Sequence, residues 1–209
     1  VTEGKRVYRS DLRQEQARRT RVQVLEAATR CFLERGYAAT TMREVAEAAG
    51  VSVPTVFAQG GKAALLLACV DRALVGTDDD RAVRELGPFA DLLAAADRST
   101  RLAALHRLAS ESAAGTLAMQ DAFAAAAAAD PEVAAPYAEY ERRRRADMTL
   151  LVRAFADDLR ADLDPESAVD VVWSVFSPQT QSRLIRGCGW TPQRYADWLP
   201  GAVERLLLR

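Results

Sequence analysis

The chain has 209 residues, 49% of them hydrophobic and 27% charged, and a formal net charge of −1. That composition is ordinary for a globular protein and long enough for one domain, or a small one fused to a larger one. No run of about 18 apolar residues occurs, which excludes a transmembrane helix. The near-zero total conceals an asymmetry: residues 1–62 sum to +4 and residues 63–209 to −5. A basic head on an acidic body predicts that the head meets a polyanion and the body does not. No apolar stretch backs the charged N-terminus, so no secretory leader is expected. Three widely spaced cysteines, Cys31, Cys69 and Cys188, fit a reducing cytoplasm better than a disulfide framework or a metal site.

Ala, Leu, Arg and Glu dominate, and these residues favour helix. The fold class read from the sequence is therefore all-α. Residues 1–13 are polar, basic and poorly patterned, and read as a flexible arm. A first helix is predicted over 14–35, with Leu25, Ala28 and Phe32 on one face and Gly36 as its terminator. A second runs from Thr41 to Gly50, opened by a Thr41/Glu44 capping box. Ser52 caps a very short third helix through Phe57, and Pro54 is tolerated in its first turn. The fourth is predicted over 62–75.

Beyond an acidic turn at 77–80, helices are expected over 81–86, 88–96, 100–114, 116–129, 132–160, 166–187 and 192–208. Asp130-Pro131 and Asp164-Pro165 mark breaks followed by new starts. Pro178, after Ser177, should kink or split the helix that contains it. The resulting division is an arm (1–13), a helix-turn-helix head (14–62) and a body (63–209).

The stretch from Thr40 to Lys62, TTMREVAEAAGVSVPTVFAQGGK, has the physics of a helix-turn-helix. Ala46 and Ala49 allow close approach, Gly50 permits the sharp turn, and Val51 and Val56 plug the angle between the helices. Ser52, Val53, Pro54, Thr55 and Phe57 remain outward, small or flat enough for a major groove about 12 Å wide. The plain alternative is a three-helix packing with no DNA role.

The sequence here resembles the TetR family of bacterial transcriptional regulators. The resemblance rests on Val24, Leu25, Ala28, Phe32, Gly36, Tyr37, Thr40, Thr41, Val45, Ala46, Ala49, Gly50, Val51, Ser52, Thr55, Val56, Lys62 and Leu65. It covers about residues 20–67 and is looser beyond. It implies a three-helix DNA-binding head, a helical effector-binding body and a homodimer. Thr41 and Arg43 would contact phosphate or a base edge, and Ser52, Val53, Pro54 and Thr55 would face base edges. Lys62 would contact phosphate at the start of the fourth helix. Phe57 stands where the family usually carries a phosphate-binding tyrosine. Two departures follow: Phe57 lacks the hydroxyl, and the Gln59–Lys62 segment is one residue short, with Gly60-Gly61 replacing a bulky apolar position. The apolar Val53 and Pro54 suit thymine methyls, so hydrogen-bonded specificity is expected from Thr55, Ser52 and Arg43.

In the body, His106, Met119, Gln120, Phe123, Tyr137, Tyr140 and Trp173 are the candidate lining of a small-molecule effector pocket; the alternative is ordinary core. A lone histidine makes neither a metal site nor a base–nucleophile pair, so no catalytic residue, metal or cofactor is expected. The run Arg142–Arg145 reads as a solvated face, and Ala124–Ala129 as plain helix. Residues 166–208 carry surplus apolar positions, which suggests a homodimer through a four-helix bundle.

The reading is a homodimeric repressor that binds a near-palindromic operator, with half-sites about 34–36 Å apart or a multiple of that. A ligand would release it, the signal running through helix 62–75. Two alternatives stay open: a helical enzyme with a vestigial head, and an interaction module with weak or no DNA binding.

Overall fold

A computed structural model describes residues 3–75 and 87–209, with side chains from residue 14 onward apart from 74–75 and 113–115. The helix expected over 81–86 and the turn before it lie outside the described residues. The regular elements among the described residues are all helices, with one isolated antiparallel bridge and no named strand. The chain divides into two compact units, Val1–Arg72 and Ala73–Arg209, so the division falls inside the fourth helix, ten residues later than the sequence implies.

In the N-terminal unit, α1 (Glu3–Arg35) is followed by α2 (Met42–Ala49), α3 (Val53–Phe57) and α4 (Lys62–Val75). Helix α1 begins at Glu3, so the backbone of the segment read as a flexible arm is helical. Poor apolar patterning tells only that a stretch has no face to bury; its Arg, Lys, Glu and Leu residues are good helix formers and simply extend the turn that follows.

Gly36 (φ 78°) ends the helical run and Tyr37 stacks back on Phe32 at 5.8 Å between centroids. The buried Thr40 hydroxyl donates to the Cys31 and Gly36 carbonyls, at 3.0 and 2.9 Å, and ties down the turn. Val24, Leu25, Ala28, Phe32, Val45, Ala46, Ala49, Val56, Leu65 and Leu66 form the unit's core. Helix α4 is held against α1 by Cys69, whose thiol donates to the Leu25 carbonyl, and by Arg72, which donates to Val22 O and Glu26.

The C-terminal unit contains α5 (Gly87–Ala94), α6 (Arg98–Gly115), α7 (Leu117–Ala129), α8 (Pro131–Ala154), α9 (Pro165–Val175), α10 (Pro178–Ser182) and α11 (Pro192–Leu207). Its main core gathers Phe89, Leu92, Leu105, Leu151, Phe155, Val172, Tyr195 and Leu199, with α6 packed on both α5 and α11. Asp97, which the sequence reading passed over, caps α6 by accepting from the Thr100 amide at 2.9 Å.

Two expected helices are broken. The one placed over 132–160 stops at Ala154, where a 3-10 turn (Ala156–Asp158) leads into pairing with the chain's last residues. Arg160 N–H donates to Leu207 O and Arg209 N–H to Asp158 O, so the backbone leaves the helix for partners distant in sequence. The one placed over 166–187 splits at Pro178 as expected: Ser177 caps α10, and a π turn (Arg183–Gly187) follows. Among the described residues, no helix is long and apolar enough to cross a membrane.

Candidate nucleic-acid interface and an aromatic cluster in the helical unit

The turn between α2 and α3 is built from local chemistry. Thr41 closes the capping box: its hydroxyl accepts from the Glu44 amide at 3.2 Å, and its own amide donates to the Glu44 carboxylate at 2.8 Å. These contacts hold the Glu44 carboxyl below its ordinary range, with Arg35 adding to the effect. At the other end Gly50 takes φ 65°, ψ 31°, a left-handed conformation that costs an L side chain about 1–2 kcal/mol. Gln23 and Arg30 of α1 donate to the last carbonyls of α2, at Ala49 O and Ala48 O.

This geometry turns α3 outward. Only Val56 of its five residues is buried, at 0% exposure. Ser52, Pro54, Phe57 and Ala58 are exposed, and Val53 and Thr55 are half-buried. Ser52 caps the helix by accepting from the Thr55 amide at 3.3 Å, and its hydroxyl lies 2.7 Å from that of Thr55. One of the two hydroxyl protons expected to read bases is therefore spent within the pair, and one remains.

Other candidates are also engaged within the unit. Arg43, fully on the surface, pairs with Glu47 at 3.0 Å, one turn along α2. Lys62 sits 4.3 Å over the Tyr37 ring, and its ammonium donates to Ala38 O at 3.3 Å. In the loop before α4, Gly60 takes φ 124°. A Cβ at Gly60 would meet Ala64 Cβ at 3.0 Å, whereas one at Gly61 would meet nothing within 4 Å, so the bulky residue expected at this pair has room at Gly61 only. The loop's Gln59 side chain accepts from Arg21 of α1 at 3.4 Å.

In the C-terminal unit, the seven candidate ligand residues separate. Gln120, Phe123, Tyr137 and Tyr140 come together on α7 and α8. Phe123 meets Tyr137 and Tyr140 edge-on, at 5.1 and 5.7 Å. Gln120 donates to the Tyr140 hydroxyl at 2.8 Å. Met119 is buried on the same helix. His106 lies elsewhere, 2.8 Å from Asp197 of α11. Trp173 packs against the main core through α9. Helical spacing alone could not tell these neighbourhoods apart. Burial pushes the Tyr140 phenol up to about 12 and raises that of Tyr137, so both stay neutral at physiological pH.

Two contributors to this cluster, Gln179 and Arg144, escaped the sequence reading, and the buried Gln181 lies on the same helix as Gln179. Gln179 of α10 donates to the Tyr137 hydroxyl at 3.2 Å. Gln181, 2% exposed, leaves its Nε2 without a partner, as Gln120 leaves its Oε1. Arg144 corrects the reading of the arginine run. Arg142 and Arg145 do pair at the surface, with Glu139 and Asp170. Arg144 instead is only 13% exposed; it pairs with Glu141 and donates to Phe176 O at 2.9 Å. One signal was available: four consecutive helical residues span more than a full turn, so one must face inward. Among the described residues no group of three or more His, Cys, Asp or Glu side chains converges to hold a metal.

The surplus apolar surface of 166–208 is partly internal. Val169, Val172, Leu199, Val203 and Leu207 belong to the unit's own core. Leu206 is exposed, while Val171, Val175, Leu184, Ile185 and Trp198 are half-buried.

Comparison with known proteins falls on the same segment. Residues 24–69 match the profile of the bacterial regulatory proteins of the tetR family. The HTH-type transcriptional regulator TtgR of Pseudomonas putida is 43% identical over 58 residues, 27% of this chain and 28% of that protein. The match thus spans little more than a quarter of the curated relative. In fold, NalD, the secondary repressor of the MexAB-OprM multidrug efflux pump in Pseudomonas aeruginosa, superposes over 93% of this chain and 98% of its own. Its TM-score is 0.69 at 20% identity. SmeT in its triclosan complex gives a TM-score of 0.69 at 19% identity, covering 91% of this chain and 92% of that one. Residues 24–69 are thus similar to the N-terminal segment of tetR-family regulators, and the match spans α2 and α3.

Proposed function

We propose that the chain is a DNA-binding transcriptional regulator, a homodimeric repressor whose helical unit takes a small-molecule effector. The observation that carries this is α3: a capped, five-residue helix standing exposed on a tetR-type helix-turn-helix. Thr41, Arg43 and Lys62 supply phosphate contacts, and Ser52, Val53, Pro54, Thr55 and Phe57 face the base edges of an operator half-site. Each polar member must exchange an internal partner for DNA, which favours a site that rewards all of them together.

The effector reading centres on Gln120, Phe123, Tyr137 and Tyr140. The buried Gln120 Oε1 has no partner while its Nε2 bonds Tyr140 beside the Phe123 ring, which favours a neutral aromatic ligand that donates a hydrogen bond. The triclosan complex of SmeT, a protein similar in fold, fits that reading. Dimerisation through α9–α11 would cover Leu206 and the half-buried Trp198 and Ile185. Ligand would release DNA only through its difference in affinity for the two states, typically about 1–3 kcal/mol.

The test is selection of binding sites from a random duplex pool with purified protein, repeated with candidate effectors, and light scattering for the dimer. Enrichment of a two-fold symmetric site supports the proposal; no enrichment at any salt concentration overturns it.

A further inference from the structure

The outer side of α3 is apolar. Pro54, Phe57 and Ala58, spaced i, i+3 and i+4, share one face and are all exposed. Phe57 is 55% exposed, the most exposed large hydrophobic side chain among the described residues. Ser52 and Thr55, on the flank, retain a single hydroxyl proton between them after their mutual bond, with Ser52 also accepting from the Thr55 amide. An exposed phenylalanine on a five-residue helix in a stretch of net charge +4 wants a partner that is polyanionic overall yet offers an apolar knob.

Duplex DNA offers one such knob in the major groove, the C5-methyl of thymine. No other base edge there satisfies a face with no donor or acceptor. We infer that this head reads its operator chiefly through thymine methyl groups gripped by Phe57 and Pro54, rather than through hydrogen bonds from Ser52 and Thr55. The inference rests on the DNA-binding reading above and specifies the chemistry that the reading leaves open. It also gives the phenylalanine a role of its own at a position where the resemblance expects a phosphate-binding hydroxyl. Because 5-methylcytosine presents its methyl at the same place in the groove, the head would favour it over cytosine at a contacted position.

The probe is the duplex enriched from a random pool, remade with each thymine replaced in turn by uracil, which removes only the methyl. Burying one methyl is worth about fourfold in affinity. Wild-type protein should lose about that factor at one or more thymines of each half-site, and Phe57→Ala should show no difference between thymine and uracil there. Phe57→Tyr, which keeps the ring, should preserve the difference. Placing cytosine and then 5-methylcytosine at the sensitive position should recover about fourfold. Equal binding of wild type to thymine and uracil duplexes at every position overturns the inference while leaving DNA binding intact. So does an equal loss on both duplexes for Phe57→Ala, which would put the ring on the sugar-phosphate backbone. Failure of the pool to yield any enriched duplex overturns the DNA-binding reading itself, and this inference with it.

Discussion

Removing the charge of Lys62 separates its contacts inside the head from the phosphate contact proposed for it. Its ammonium lies 4.3 Å over the Tyr37 ring and donates to Ala38 O, and to reach a phosphate it must leave both. An exposed cation–π contact is worth about 0.5–1 kcal/mol, so Lys62→Ala should lower the stability of the head by roughly that amount. If the lysine also neutralises one phosphate per bound head, the slope of log K against log salt falls by about 0.9 per head, or about 1.8 for two. Over a fourfold rise in salt, the affinity gap between wild type and variant should then close by about 12-fold. Fluorescence anisotropy with the selected duplex at several salt concentrations gives the slope, and amide exchange in α2–α4 gives the stability. Lys62→Arg keeps the charge and should keep the slope. An unchanged slope in Lys62→Ala, together with loosened amides, would show that the lysine merely clips the loop to residue 38 and refute the phosphate contact.

Other perturbations act on single features. Gly50→Ala meets no atom within 4 Å, so its cost is the left-handed backbone alone, about 1–2 kcal/mol; amide exchange in α2 and α3 should rise about 5–30-fold. Gly60→Ala adds a 3.0 Å encounter with Ala64 Cβ to an unfavourable φ, and should displace the start of α4 and weaken DNA binding on every sequence. Tyr140→Phe leaves the Gln120 amide N–H buried without an acceptor and should cost about 1–3 kcal/mol in chemical denaturation. Asp97 has its carboxyl held well below the usual range by Ser99 and Thr100. A depressed folded pKa gives stability that is fully present above the unfolded value, about 4, and lost as pH falls through the folded one. The difference in melting temperature between wild type and Asp97→Ala should therefore be largest near neutrality and shrink below pH of about 4.

The head was legible because its signals are local. A capping box, a glycine at φ 65° and a Ser-x-Pro start each act within four residues, and α2 and α3 lie where these residues place them. The breaks in the body's helices were legible only where proline or an Asx cap announced them, as at Ser177-Pro178. The end of α8 was not, because it is decided by backbone pairing of Arg160 with Leu207, 47 residues away. The candidate ligand residues divide for the same reason: helical spacing does not distinguish His106 from Tyr140, and only tertiary packing sends one to Asp197 and the other to Gln120.

The interface shows the complementary limit. Sequence gave the identities of the residues on α3, and their polarity pointed to Ser52 and Thr55 as readers. What decides is which polar atoms remain unspent after folding. A helix of five residues has few backbone bonds of its own, so its start must be stabilised by side chains, and the exposed Ser52 hydroxyl is recruited for that cap, with the Thr55 hydroxyl bonded to it. Recognition then passes to side chains with no internal duty. Pro54 has no amide N–H to satisfy, and Phe57 has no hydroxyl to commit, so both stand exposed at no cost in lost hydrogen bonds. Short recognition helices capped in this way should, on the same logic, divide labour between polar residues that hold the helix and apolar ones that meet the bases.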